Sequence, residues 1–149
     1  MSLENVQEVK LDSLYREVIL DHYRSPRNRG QMDSPDVAAE GYNPLCGDEV
    51  TVHLALDGDR IASARFVARG CSISQASASM MAGMVEGKTV AEALALADSF
   101  KGVMQGQPAD FEKMGDLVAL EGVRDFPVRI KCALLAWETL RDGVNRREK

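Results

Sequence analysis

The chain is expected to fold as a single α+β domain, a three-stranded antiparallel sheet with helices packed on one face. Three observations predict it. Strand-like stretches come early and helix-like stretches later, an order that suits segregated α+β packing. One segment, Val50 to Leu56, alternates apolar and polar residues with period two. Asp57-Gly58 then supplies residues that tolerate the positive φ of a tight hairpin turn.

The elements follow in order. Residues 1–9 have no helix-start signal and read as a loose tail. Leu14, Tyr15, Val18, Ile19, His22 and Tyr23 then recur at helical spacing, with Asp12 or Ser13 as cap. Pro26 ends that helix, because the residue before proline disfavours helical geometry. Ser25 to Gly30 is a polar turn. Val37 to Ala39 is a short edge strand, and Gly41-Tyr42-Asn43-Pro44 is a loop. In the second strand Val50, Val52, Leu54 and Leu56 share a face. In the third, Arg60 to Arg69, so do Ala62, Ala64, Phe66 and Ala68.

Gly70-Cys71-Ser72 opens a helix over Ile73 to Met84, stopped by Gly87. Thr89-Val90-Ala91-Glu92 matches a capping box and starts a helix to about Met104. Gly102 to Asp110 is a loop, and Ala109 to Glu121 one short helix or two turns. Pro127 suits the first turn of a last helix reaching about Gly143. Residues 145–149 read as a charged tail.

The totals bound the function. With 149 residues and 45% hydrophobic content, one domain buries roughly 70% of its unfolded surface and needs no disulfide staples. A net charge of -5 argues against nucleic-acid binding. Three cysteines cannot all pair within one chain, which points to a reducing compartment. With no signal peptide pattern and no transmembrane run, the chain reads as soluble and cytoplasmic, with no membrane partner.

The chemistry centres on Cys46-Gly47-Asp48, a thiol and a carboxylate separated by a residue that lets the backbone bend. Cys71 stands where a strand ends and a helix begins, so backbone N–H groups and the helix dipole favour its thiolate. Cys132 lies inside the last helix. Each cysteine alone reads as a small packed hydrophobe. Together, three thiolates and Asp48 would fill one tetrahedral zinc shell. There is no Cys-x-x-Cys knuckle, so spacing alone leaves metal site and packed thiols both open. His22 and His53 compete for the fourth place and read as a core or surface histidine each. Met80, Met81 and Met84 read as core, and Trp137 as part of the last helix's apolar stripe. No carboxylate pair or phosphate loop appears.

Four segments carry a family resemblance: Ile19 to Asn28, Asn43 to Asp48, Gly70 to Ser79 and Pro127 to Trp137. On these the chain resembles the SufU type of the IscU/NifU-N-like iron–sulfur assembly family. The resemblance implies zinc held by Cys46, Asp48, Cys71 and Cys132. It implies a pyridoxal-phosphate cysteine desulfurase of the SufS type as partner, with downstream iron–sulfur assembly proteins beyond it. In the family picture a partner histidine replaces Cys46 on zinc, and the freed Cys46 accepts sulfur as a persulfide, activating the desulfurase. Arg129, almost one turn before Cys132, would orient the partner or steady the thiolate; as a residue alone it reads equally as a solvated arginine.

The chain departs from the scaffold type of this family. Lys131 stands where scaffolds carry histidine, and cannot serve as an ordinary ligand while protonated. Phe126-Pro127-Val128-Arg129-Ile130-Lys131 replaces the scaffold Leu-Pro-Pro-Val-Lys chaperone motif. Extra length falls around Gly102 to Gly122. The alternative functions are a scaffold for a [2Fe–2S] cluster on the same ligands, and a purely structural zinc site.

Overall fold

A computed structural model describes residues 15–148. The expected tail at residues 1–9, the caps Asp12 and Ser13, and Lys149 lie outside them. The sheet holds three antiparallel strands in the order β1 (Val37–Asn43), β2 (Asp48–Asp57), β3 (Arg60–Arg69). The helices are α1 (15–24), α2 (Ser72–Val85), α3 (Val90–Met104), the short α4 (Phe111–Met114) and α5 (Pro127–Glu148). A run of 3-10 turns, Gly115–Asp125, joins α4 to α5. The expected α+β architecture is present.

One sheet face is apolar and covered. Val37 and Ala39 of β1, Val50, Val52 and Leu54 of β2, and Ala64, Phe66 and Ala68 of β3 are buried on it. Helix α5 packs across β1 and β2, and α2 against β3. Beneath them Met80 and Met81 are buried, Met84 is partly buried, and Phe100 tilts against Trp137 with ring centroids 5.8 Å apart. Burial of such large side chains is what a domain of this size relies on, at about 1.5–3 kcal/mol each for aliphatic side chains.

Strand β1 is longer than the expected Val37 to Ala39. Its partners on β2 run from Val37↔Leu54 to Asn43↔Asp48, so Gly41 to Asn43 is strand rather than loop. Gly41 is needed there for close approach: a Cβ would stand 2.0 Å from Thr139 Oγ1 of α5. In β3 the expected face is right at three of its four positions. Ala64, Phe66 and Ala68 are buried, but Ala62 is exposed and Ile61 takes its place in the core. A register shift is the cause: Ala55 pairs with Ser63, and Leu56 with Ile61, so Ala62 is skipped and the pleat slips by one. Leu56, at the same shift, is only partly buried.

The polar turn after α1 has a use the sequence did not reveal. Gly30 N–H donates to Phe66 O at 2.8 Å, and Phe66 N–H to Asn28 O at 3.2 Å. This segment pairs with the outer edge of β3 and covers it, the usual protection of an exposed strand edge. The capping box forms as expected, with Glu92 N–H donating to Thr89 Oγ1 at 3.1 Å and Thr89 N–H to Glu92 Oε1 at 2.9 Å. The region from 109 to 121 is a single α-turn followed by 3-10 turns that reach Asp125. Helix α5 runs on to Glu148, so the described part of the expected 145–149 tail is helical. Val144 is still buried, which anchors that last stretch, and Arg146 and Arg147 suit the negative end of the helix dipole.

Candidate metal centre

The sheet delivers two parts of the site from one tight turn. Asn43 ends β1 and Asp48 opens β2. Between them Cys46 N–H and Gly47 N–H both donate to Asn43 O, at 3.3 and 2.8 Å, and Leu45 N–H donates to Asn43 Oδ1 at 3.2 Å. Gly47 holds φ +73°, a conformation that costs glycine little. This turn puts Cys46 half-buried at the surface and Asp48 fully buried behind it.

Helix α5 brings Cys132 to the same point. Its Sγ lies 3.3 Å from Cys46 Sγ, and it is fully buried. One ligand atom each from Cys46, Asp48 and Cys132 lie within 4.8 Å of one another. Cys71, the residue capping the N-terminus of α2, reaches the group through Asp48. Its N–H donates to Asp48 Oδ1 at 2.9 Å, and its Sγ stands 3.9 Å from Asp48 Oδ2. It is outside the mutual cluster of the other three. Room for the Asp48 carboxylate comes from Gly70, at φ +134°, where a Cβ would come within 1.9 Å of Asp48 Oδ1.

The charges around the site oppose ionisation of the buried thiol. Burial pushes the Cys132 thiol well up from its ordinary value, and the hydrogen bonds with Asp48 and Cys46 and the charge of Cys71 add to this. Arg129 answers on the other side. Its guanidinium is raised further by the charge of Cys71, then by hydrogen bonds with Cys132 and Cys71, although the side chain itself is exposed. Two thiols and a carboxylate, with no histidine among them, form a mixed sulfur and oxygen donor set whose negative charge a divalent cation would compensate. That chemistry fits zinc.

Neither histidine joins the site. His22 is buried between elements, with Nδ1 2.8 Å from Ser79 Oγ and Nε2 2.8 Å from Asp116 Oδ2. His53 lies on the sheet face away from the core and accepts from Met32 N–H at Nδ1, 3.0 Å away. Asn43 is the site residue that reading the sequence missed. The signal available was an asparagine two residues before a backbone N–H it can cap, an Asx turn leading into a cysteine.

The site opens on one side. Cys46 lines a shallow groove of about 520 Å³ with Phe126, Pro127, Val128 and Arg129. Large apolar side chains stand exposed nearby: Leu45 at 64% and Phe126 at 63%.

Residues 14–145 match the model of the NifU-like N terminal domain. The chain belongs to the NifU-like N terminal domain family. Within it, the chain is 46% identical to a zinc-dependent sulfurtransferase SufU of Bacillus subtilis (strain 168), over 93% of this chain and 94% of the relative. It is 44% identical to an iron-sulfur cluster assembly scaffold protein IscU of Streptococcus pyogenes serotype M1, over 92% of this chain and 86% of the relative. Among solved structures it matches a nitrogen-fixing NifU-like protein (N-terminal) from Brucella abortus with TM-score 0.85 and 29% identity, covering 93% of this chain and 96% of that one. The family's fold is therefore the α+β arrangement described above. Among the described residues, no helix is long and apolar enough to cross a membrane.

Proposed function

We propose that this chain is a zinc-dependent sulfurtransferase of iron–sulfur cluster assembly, taking persulfide sulfur on Cys46 from a SufS-type cysteine desulfurase. The observation that carries the assignment of roles is the contrast between two thiols 3.3 Å apart: Cys132 is fully buried, while Cys46 opens onto the groove. The likeness to the SufU sulfurtransferase supports the reaction class. Three free cysteines suit a reducing, cytoplasmic setting.

Cys46, Asp48 and Cys132 would hold the zinc, with Cys71 as the fourth ligand from its place beside Asp48. When bound, zinc supplies the positive charge that keeps these thiols deprotonated at neutral pH. The remaining work belongs to the chain. Cys46 Sγ attacks the terminal sulfur of the donor's persulfide, R–S–SH. One S–S bond forms at Cys46, the donor's S–S bond breaks, and R–S⁻ leaves. No oxidant or reductant is consumed. Asp48 accepts from Cys71 N–H and so holds the strand and helix ends together during the exchange. Arg129 balances negative charge at Cys71 and Cys132 while Cys46 is engaged elsewhere.

The second reading is a scaffold that assembles an iron–sulfur cluster, favoured by the likeness to IscU scaffolds. Lys131 weighs against it. It is exposed at the rim of a groove with Leu45 and Ile130, and a protonated ammonium offers no lone pair to a metal. Metal analysis of the purified protein, with an assay of cysteine desulfurase turnover, tests the proposal. One zinc per chain and stimulation lost in Cys46→Ala are expected. A stable stoichiometric cluster after anaerobic reconstitution, with Cys46 retained as ligand, would overturn it. Unchanged stimulation in Cys46→Ala would instead leave a structural zinc site.

A further inference from the structure

We propose that Asn43 is a positioning residue that sorts the two neighbouring thiols: it folds the turn that presents Cys46 and, through its amide N–H, holds Cys132 as the retained ligand. The proposal rests on the sulfurtransferase reading and deepens it. Two thiols 3.3 Å apart would be near-equivalent nucleophiles unless their surroundings differ. Burial supplies one difference, and Asn43 supplies another.

Asn43 is itself buried, 5% exposed. Its side-chain orientation is decided by its neighbours. Leu45 N–H is a donor, so the atom it meets at 3.2 Å must be the oxygen Oδ1. The amide nitrogen Nδ2 then faces Cys132 Sγ at 3.7 Å, within hydrogen-bonding distance for sulfur. A donor aimed at a thiolate draws charge off the sulfur, which makes it a poorer nucleophile while leaving it a ligand. It also offsets part of the desolvation that burial imposes on a charged sulfur. Among the described residues, Cys46 Sγ meets no such amide; its contact is Cys132 Sγ. The main chain of the same residue accepts from Cys46 N–H and Gly47 N–H. One asparagine therefore acts on both thiols with opposite effect, presenting one and quieting the other.

The test uses Asn43→Ser and Asn43→Asp in the full chain. Each keeps an oxygen for Leu45 N–H and lacks the amide; ionised aspartate carries no donor at all, and the serine hydroxyl sits on a shorter arm than the amide it replaces. Loaded with Co²⁺ in place of zinc, the sulfur-to-cobalt charge-transfer absorption reads the donor directly. Its loss raises the energy of the sulfur electrons and moves the band to longer wavelength. After mixing with cysteine and a cysteine desulfurase, peptide mapping reads where sulfur is carried. The expected result is a band shift in both variants, with a tenfold or greater fall in the Cys46-to-Cys132 persulfide ratio. Loss of Co²⁺ binding in both, at an unchanged melting temperature, supports the proposal equally, because the turn's acceptor is still present. Unshifted bands with sulfur confined to Cys46 would reduce Asn43 to a turn residue and overturn it. Early melting of both variants overturns it as well, placing Asn43 in the fold rather than at the thiols. If wild-type protein takes no sulfur on Cys46, the sulfurtransferase reading falls, while the cobalt band still reports on Asn43.

Discussion

Cys46 Sγ and Cys132 Sγ lie 3.3 Å apart although 86 residues separate them in the chain. Cys71 Sγ instead has Asp48 as its neighbour, 3.9 Å away. The order of approach predicts the order of oxidation. In protein stripped of metal by a chelator and treated with a mild thiol oxidant, Cys46–Cys132 is the disulfide that forms first. Peptide mapping under non-reducing conditions checks this. A dominant Cys46–Cys71 or Cys71–Cys132 bridge would contradict the arrangement.

Gly70 predicts a second effect, at a residue that carries no chemistry. An added Cβ would meet Asp48 Oδ1 at 1.9 Å and its Cα at 2.9 Å, in a backbone conformation that side chains resist. Gly70→Ala must push the Asp48 carboxylate away or move the strand. Metal affinity should fall by roughly tenfold or more, the usual penalty for disturbing the support of a ligand. Competition with a chromophoric chelator measures it. Gly58→Ala, also at positive φ but with open space around it, serves as the control for backbone strain alone.

Much of this site is legible in the sequence, because Cys, Gly and Asp side by side restrict what a turn can do. Cys46 and Asp48 follow from that local chemistry, whereas Cys132, which alone reads as a packed hydrophobe, joins them only through the family resemblance. The finer geometry is not legible. Asn43 sits within a short motif, but its contact with Cys132 depends on α5 crossing β1, a long-range event. Ala62 fails for a similar reason: period-two reasoning assumes an unbroken pleat, and the register shift at Leu56 breaks it. The position of Cys71, closer to Asp48 than to the thiol pair, likewise depends on how α2 leaves the sheet.

His22 predicts a loss of stability without a loss of metal. It links α1 to Ser79 of α2 and to Asp116 of the 3-10 run, and Ser79 Oγ also accepts from Arg27 N–H. Removing the imidazole leaves Ser79 buried with one bond fewer and opens a cavity. His22→Ala should cost about 2–4 kcal/mol, from the lost hydrogen bonds and the void. Denaturant unfolding reads the cost. Zinc content of the folded fraction should be unchanged, and a loss of one equivalent would make His22 a ligand after all.

The capping box of α3 predicts an acid-side dependence. The bond from Thr89 N–H, and then that with the Thr89 side chain, hold the Glu92 carboxyl below its ordinary value of 4.5. Its folded form therefore binds fewer protons than the unfolded chain just below that pH. The stability it supplies is present above about pH 4.5 and is lost as pH falls through the folded value. Glu92→Gln should flatten this part of the acid melting profile. Thr89→Ala should cost about 1 kcal/mol at neutral pH. A Glu92→Gln variant that melts in acid along the wild-type profile would show that the box contributes nothing there.

The apolar rim of the site predicts where a partner sits. Leu45 precedes Cys46, and Phe126 shares its groove, and both leave more than half of their surface in water. Exposed large apolar side chains beside the thiol proposed to accept sulfur are poorly explained by packing and well explained by an interface, where a few anchor residues carry most of the binding energy. Leu45→Asp and Phe126→Asp should each raise the desulfurase concentration needed for half-maximal coupling at least tenfold, equivalent to about 1.4 kcal/mol. Zinc content and thermal stability should stay at wild-type values, since neither side chain is part of the core. The comparison that decides is with Tyr23→Asp, an exposed aromatic on α1 outside that groove. If Tyr23→Asp weakens coupling as much as the rim variants, the docking face is not centred on Cys46, and sulfur would have to reach that thiol by another approach.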